Sequence, residues 1–299
     1  MRLLLVLTLG VIAIGLIVGC GASQAGTSSV RNPVAPLKDA SAFASDPAKH
    51  AGPTDAVAVK NSVPVIHVFV ALCDNVNQGI VPVSASLGNG DNPATNLYWG
   101  AAFGVKTFFS RSKEWELVAE TKNPSAAILD RLIFKQRGAD VFMIADAYRG
   151  KEISQAIWDF LEAASGKAGE QLSVTQGNRK ITFNSSGSAD LVAYVGHDGL
   201  MDFTLQSTPE ARDQRKRKAI ILACVSRKYF AQPLERTGAE PLVWTTGLMA
   251  PEAYILSAAI AGWLKRETDE QVRARAAKAY NTYQNCGLKA ANNLFATGW

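Results

Sequence analysis

The chain has 299 residues, 47% of them hydrophobic and 19% charged, a balance typical of a globular protein that buries a sizeable core. The net charge of +5 comes largely from local clusters such as residues 215–218, and no basic stripe is interleaved with aromatic side chains. These features argue against a nucleic-acid partner, and we expect none.

The chain begins with a positive residue and an apolar run of signal-peptide length. Arg2 precedes the run LLLVLTLGVIAIGLIV at residues 3–18, which is shorter than the roughly 20 apolar residues of a membrane-spanning helix. The run continues as Gly19-Cys20-Gly21. This ending resembles the lipobox of bacterial lipoproteins, in which the chain is cleaved before a cysteine whose thiol then receives a diacylglycerol.

The lipobox resemblance implies a lipoprotein signal peptide at residues 1–19 and lipidation of Cys20, with fatty acids such as palmitate as the membrane anchor. We therefore expect a protein of the bacterial cell envelope that faces the periplasm or the exterior. Gly21 resembles no inner-membrane retention signal, and the choice between inner and outer membrane stays open. An ordinary secretory signal followed by an unrelated cysteine is the alternative. Residues 20–62 lack apolar periodicity and are predicted to form a flexible linker.

Three cysteines remain after Cys20, and three is an odd number. At least one thiol among Cys73, Cys224 and Cys286 therefore lacks an intramolecular disulfide partner. A bridge between Cys73 and Cys286 is one arrangement, but the spacing does not select it.

From residue 63 onward, short β-branched apolar runs alternate with segments of helical pattern. Strands are predicted at 63–72, 140–147, 190–196, 218–224 and 241–246, and helices at 96–108, 124–137, 150–165, 227–237, 251–266 and 269–285. Thr268 and Gln271 form a capping-box pattern at the start of the last helix. The alternation predicts one α/β domain over 63–299, with a mostly parallel sheet and helices on both faces.

Ligands of such sheets bind at the carboxyl ends of the strands, so the residues there are candidates for chemistry. The stretch YVGHDGLMDF places His197 just after the strand at 190–196, and the strand at 218–224 ends in Cys224. If these strands are parallel neighbours, an imidazole and a thiol face one crevice. A thiol attacks a carbonyl carbon as the thiolate, while an imidazole manages the proton.

The two blocks, an apolar strand followed by Gly-His and an apolar strand followed by Ala-Cys-x-Ser, resemble the clan CD cysteine peptidases, which include caspases, gingipain and legumain. The resemblance implies a caspase-like three-layer sandwich with His197 as general acid/base and Cys224 as nucleophile. It also implies an oxyanion hole made by the backbone N–H of Cys224 and one after the histidine. Because Asp198 stands before Gly199 here, the second donor is the N–H of either residue.

The same resemblance implies a peptide or protein substrate and a pocket formed partly by Asp74, Asn75 and Ser226. We expect no cofactor, because no strand-to-helix glycine motif for phosphate is present, and no metal, because no His/Cys cluster has ligand spacing. The implied activity is that of a cysteine endopeptidase or related amide hydrolase.

Other interpretations of these residues stay open. Cys224 can be a packing residue and His197 a turn residue, and Cys73-Asp74 is a rival nucleophile site. A catalytically inactive envelope lipoprotein that binds a peptide, glycan or small ligand is the principal alternative, and a purely structural lipoprotein is a further one.

Overall fold

The structure, a computed structural model, describes residues 56–299. The predicted signal peptide at 1–19, Cys20 and most of the predicted linker lie outside the described residues. The strands are β1 (Val65–Ala71), β2 (Trp115–Lys122), β3 (Ile128–Gln136), β4 (Phe142–Tyr148), β5 (Ala168–Gln176), β6 (Arg179–Ser186), β7 (Leu191–Val195), β8 (Lys218–Leu222), β9 (Glu240–Thr245) and β10 (Phe295–Ala296). The helices are α1 (Val105–Ser110), α2 (Ile153–Ser165), α3 (Ser226–Thr237), α4 (Ala253–Leu264), α5 (Asp269–Gln284) and α6 (Leu288–Leu294).

Eight strands form one sheet in the order β10-β9-β8-β7-β1-β4-β3-β2. The five central strands, from β9 to β4, run parallel, while β3, β2 and β10 join through antiparallel pairs. The prediction of an α/β fold with a mostly parallel sheet is confirmed. Each of the five predicted strands corresponds to one of these five parallel strands.

Two apolar layers cover the sheet, one on each face. Alternate residues of β1 show the division: Ile66 and Val68 pack with α1, α4, α5 and α6, whereas Val65 and Phe69 pack with α2 and α3. Because both faces are covered, every residue of β1, β4 and β7 is buried. This double burial explains why their sequences are predominantly apolar.

The predicted helix at 124–137 is wrong, because this segment forms strand β3 between β2 and β4. Its sequence AAILDRLIF contains good helix formers and two charges, a pattern that favours a helix. In the fold, buried Asp130 accepts a hydrogen bond from Lys106 at 3.1 Å, and buried Arg131 forms a bidentate pair with Asp146 at 2.6 and 2.7 Å. These tertiary partners make a buried charged strand tolerable.

The predicted helix at 96–108 is also largely wrong, because helix forms only from Val105 onward. Asn96 holds the preceding turn, since its Oδ1 accepts from the N–H of Cys73 at 3.0 Å and its Nδ2 donates to the carbonyl of Cys73 at 2.8 Å. A Cβ on Gly104 would lie 2.4 Å from the backbone of Trp99. The side-chain bonds of Asn96 and this close backbone approach compete with a regular helix here.

Several elements have no counterpart in the predicted set: β2, the β5–β6 hairpin, α6 and β10. Residues 56–62, predicted as linker, are joined to the domain. Ala58 N–H donates to Gly166 at 2.8 Å, and the Asn61 amide donates to the carbonyls of Asn184 and Ser188 at 2.8 and 3.1 Å. The predicted capping box of α5 is confirmed, with Thr268 accepting from Gln271 N–H at 3.3 Å.

Candidate functional site

The strands that carry His197 and Cys224 are parallel neighbours, which is the condition under which the sequence places the two residues in one crevice. Val195 of β7 pairs with Leu222 of β8, and the N–H of Gly196 donates to the carbonyl of Leu222 at 3.1 Å. His197 and Cys224 each follow two positions after this last pair. They therefore leave the sheet at the same level of its carboxyl edge.

Gly196 allows the chain to leave β7 close to β1. Its φ is +152°, and a Cβ at this position would lie 2.9 Å from the carbonyl oxygen of Ala71. A side chain would therefore be both conformationally strained and in contact with backbone. The chain can follow this path only because the residue before His197 is a glycine.

His197 is 7% exposed and is held by a carboxylate five residues away. Its Nε2 lies 2.7 Å from Oδ2 of Asp202, which also accepts from the N–H of Gly79 at 2.9 Å. Burial alone would raise the pKa of Asp202, but the hydrogen bonds from His197 and Gly79 lower it overall. An ionised carboxylate that fixes an imidazole in this way is the arrangement that orients a general acid/base.

Cys224 lies in a sharp turn between β8 and α3. The following residue, Val225, has φ 52° and ψ 27°, in the left-handed region that a β-branched residue rarely adopts. Its N–H donates to the carbonyl of Gly247 at 2.9 Å, which helps to hold this geometry. Backbone strain of this kind concentrates at functional sites.

The thiol of Cys224 is engaged by the backbone of Met249. The N–H of Met249 lies 3.4 Å from Sγ, and Sγ lies 3.5 Å from the carbonyl oxygen of Met249. Burial raises the pKa of Cys224, the N–H of Met249 opposes this, and nearby Asp198 raises it further. Within residues 56–299, no hydrogen bond links Sγ to the ring of His197. In a substrate-free active site, the hydrogen bonds used in catalysis are often long or poorly aligned, and they shorten when substrate binds.

Asp198 is fully buried between His197 and Gly199. Its Oδ1 accepts from the N–H of Leu200 at 3.1 Å, but its Oδ2 has no hydrogen-bond partner among the described residues. Burial raises the pKa of Asp198 to about 7, the Leu200 N–H opposes this, and the charge of Asp202 raises it further. A buried carboxyl oxygen without a hydrogen-bond partner is unusual in a folded protein.

The predicted oxyanion donors differ in availability. The N–H of Gly199 donates to the carbonyl of His197 at 3.1 Å and is therefore occupied. In the described part of the chain, the backbone N–H groups of Asp198 and Cys224 donate no hydrogen bond. Of the two predicted alternatives for the second donor, Asp198 is the one whose N–H remains available.

Asp74 and Asn75, predicted to shape a substrate pocket, hold the loop after β1. Oδ1 of Asp74 accepts from the N–H groups of Val76 and Asn77 at 2.9 and 3.1 Å. The side chain of Asn75 exchanges two hydrogen bonds with the backbone of Val83, at 2.8 and 3.0 Å. This loop reaches the histidine indirectly, through the bond from Gly79 to Asp202.

Ser226, the third predicted pocket residue, is fully buried. Its hydroxyl donates to the carbonyl of Ile221 at 3.0 Å and lies 3.1 Å from Oγ1 of Thr245. These contacts fix the first turn of α3 against β9. The side chain therefore supports the Cys224 turn and does not face an open crevice.

Cys73, the rival nucleophile, is fully buried and is a free thiol, so the Cys73–Cys286 bridge is not formed. Burial raises the pKa of Cys73 to about 11, against a hydrogen bond with Tyr98 that lowers it. Tyr98 lies close enough to both Cys73 and Cys224 that each of them raises its pKa, after the larger effect of burial. A sealed thiol with a high pKa is a poor nucleophile.

Asp202 is the site residue that the sequence interpretation missed. The available signal was an acidic residue five positions after His197, in the same short stretch.

Across residues 56–299, no set of three or more His, Cys, Asp or Glu side chains could hold a metal ion. No helix in this part of the chain is long and apolar enough to cross a bilayer.

Comparison of the chain with protein-family models, curated proteins and solved structures found no significant match. The caspase-like resemblance therefore rests on the residues at the two strand ends alone.

Proposed function

We propose that the chain is a lipid-anchored protein of the bacterial cell envelope whose α/β domain is a caspase-like cysteine peptidase or related amide hydrolase. Cys224 is the nucleophile, His197 the general acid/base and Asp202 the residue that orients His197. The observation that carries this proposal is that His197 and Cys224 each lie two residues after the last paired position of two neighbouring parallel strands. In addition, Nε2 of His197 lies 2.7 Å from Oδ2 of Asp202.

In the proposed reaction, His197 removes the proton of the Cys224 thiol, and the sulfur attacks the carbonyl carbon of a peptide bond. The N–H groups of Cys224 and Asp198 stabilise the oxyanion that develops. The C–N bond then breaks, the leaving amine takes the proton from His197, and an acyl-thioester remains on Cys224. Water, deprotonated by His197, hydrolyses the thioester and restores the thiol.

A second candidate function is a binding module that uses the same crevice without catalysis. The specific observation in its favour is the state of the thiol: burial raises the pKa of Cys224, and its sulfur contacts the backbone of Met249. A protonated thiol in these contacts does not attack a carbonyl. The two functions differ in whether substrate brings His197 into contact with the sulfur.

The full chain, purified in detergent, tests this with a peptide library and with peptidyl acyloxymethyl ketones, which alkylate activated cysteine nucleophiles. We expect cleavage of a subset of peptides and a covalent adduct located at Cys224 by mass spectrometry. Cys224→Ala should abolish both, whereas Cys73→Ala, a second thiol at the same sheet edge, should retain both. Peptide binding without cleavage in wild type, surviving in Cys224→Ser, would select the binding module.

The membrane attachment is tested separately. Cells given an alkyne-labelled palmitate analogue should incorporate it into the wild-type chain and not into Cys20→Ala, and the wild-type chain should fractionate with membranes. Equal labelling of both chains would remove the lipoprotein proposal without affecting the hydrolase proposal.

A further inference from the structure

A large cavity lies at the end of the sheet opposite to His197 and Cys224. Its volume is about 850 Å³, and its wall includes Val63 and Pro64, just before β1, together with Val141 before β4 and Asp190 before β7. These residues all stand at the amino ends of parallel strands. The proposed catalytic chemistry therefore uses no part of this cavity.

The cavity is lined by more cations than anions. Five basic side chains line it: Lys60, Lys113, Arg137, Lys265 and Arg266. Among the described residues, four of them have no salt-bridge partner, while Arg137 lies 3.2 Å from Glu116. Of the two acidic residues in the wall, Asp190 pairs with Arg215 at 3.2 Å, so its charge is already compensated. The uncompensated field in the cavity is positive.

The cavity wall is also partly apolar. Val63, Val141 and Leu264 line it, as does the partly buried indole of Trp263, at the end of α4. Lys265 and Arg266 follow Trp263 after one intervening residue, Leu264, so cations and an aromatic ring meet at one rim. An amphiphile with an anionic head and an apolar body fits such a wall better than a small hydrophilic anion does.

The place where the chain from the proposed lipid anchor enters the domain favours the membrane as the source of that amphiphile. Lys60, Asn61 and Ser62, which line it, belong to the first described segment of the domain, and Cys20 precedes Lys60 by 40 positions. The segment that leads from the proposed lipid anchor thus enters the domain at this cavity. If the anchor is in a bilayer, this end of the sheet is the one that the chain connects to the membrane.

We propose that the cavity binds the phosphate-bearing headgroup of an anionic membrane lipid, with the cations around the phosphate and the apolar wall along the start of the acyl chains. The bound lipid orients the domain with the amino ends of its strands toward the membrane and the His197–Cys224 edge away from it. This inference rests on the proposed membrane attachment but not on the chemistry of Cys224.

The test measures lipid retention by the full chain in neutral-detergent micelles containing either phosphatidylglycerol or phosphatidylcholine, using native mass spectrometry. Wild type should retain phosphatidylglycerol and not phosphatidylcholine. The triple variant Lys60→Gln, Lys265→Gln, Arg266→Gln should retain phosphatidylglycerol roughly a hundredfold more weakly, because the roughly fivefold effect of each cation near an anionic lipid multiplies over three residues.

A matched variant, Lys151→Gln, Lys278→Gln, Lys289→Gln, removes the same charge from exposed sites outside the cavity and should bind like wild type. Glu114→Gln removes an acid from the cavity wall and should tighten retention, which keeps the test informative if the triple variant does not fold. Equal retention by wild type and both triple variants, or equal retention of the two lipids, would overturn the proposal. Displacement of the lipid by excess inorganic phosphate would assign the site to a soluble anion and overturn the lipid assignment. Absence of phosphatidylglycerol retention by the wild-type chain, with its Cys20 acylation intact, would refute this inference while leaving the proposed anchor in place.

Discussion

Nε2 of His197 lies 2.7 Å from Oδ2 of Asp202, and the same oxygen accepts the N–H of Gly79 at 2.9 Å. The imidazole is therefore tied to a carboxylate that is itself fixed by the loop after β1. A ring held at one nitrogen presents its other nitrogen in a defined direction.

Asp202→Asn should lower peptide hydrolysis by at least about a hundredfold, because the neutral amide neither stabilises the imidazolium nor fixes its tautomer. Substrate binding should change little, so the loss should appear in kcat and not in KM. A change confined to KM would show that Asp202 shapes the binding site and does not act through His197.

The same variant should alter the acid sensitivity of folding. The pKa of Asp202 is lowered in the folded protein, so its contribution to stability is present above its unfolded pKa, roughly 3.9, and is lost as the pH falls through the folded value. The stability difference between wild type and Asp202→Asn should shrink as the pH falls below about 4. Urea unfolding between about pH 5 and pH 2 measures it, and a difference that grows over this acid range would contradict the assignment.

Asp198→Asn should change stability in the opposite pH direction. The pKa of Asp198 is raised to about 7, so between its unfolded value near 4 and pH 7 the folded state holds a proton that the unfolded state has released. Wild type therefore loses up to about 4 kcal/mol of stability across that window, and the amide removes this slope. The variant should match wild type near pH 4 and exceed it at pH 8. Parallel stability curves for the two proteins would refute the buried, protonated carboxyl.

Val225 offers a test of strain in the Cys224 turn. Glycine normally destabilises a folded position relative to alanine by roughly 0.5–1 kcal/mol, but the left-handed region costs alanine about 1–2 kcal/mol. We therefore expect Val225→Gly to be more stable than Val225→Ala, an inversion of the usual order, in denaturant unfolding. Val225→Gly should also hydrolyse peptides more slowly, because the turn that holds the thiol is loosened. The usual order, with alanine the more stable, would indicate that the turn stores no strain.

Gly196→Ala should destabilise the fold and displace His197. The added Cβ would lie 2.9 Å from the carbonyl oxygen of Ala71, on top of the cost of a positive φ, so we expect a loss of roughly 1–3 kcal/mol or more. Gly138→Ala is the matched control, because Gly138 also has a positive φ but has open space around it. The control should lose less stability and keep full hydrolysis. Equal effects at both positions would mean that the contact with β1 is not what requires glycine.

Much of the fold can be predicted from local patterns of apolar residues in the sequence. Double burial makes β1, β4, β7, β8 and β9 predominantly apolar runs, and such runs can be recognised in the sequence without knowledge of their partners. Their alternation with helical segments is enough to predict a parallel sheet and to place His197 and Cys224 at its carboxyl edge.

The segment ILDRLIF shows where local patterns fail. Helix propensity favoured a helix there, but Asp130 and Arg131 find partners on α1 and β4, and the segment pairs as a strand. The β5–β6 hairpin was missed for a related reason: most of its side chains are exposed or half-buried, so it lacks the apolar run of a covered strand.

By itself, the sequence determined the fold class, the five parallel strands and the two residues at the ends of β7 and β8, because the burial of a segment is encoded in its own residues. Only the tertiary structure decided that these two strands are neighbours, that Asp202 binds His197, that the Cys224 turn is strained and that distant cations line one cavity. Those relationships join residues through strand pairing and loop closure, and such pairing energies depend on both partners and are therefore not contained in either segment alone.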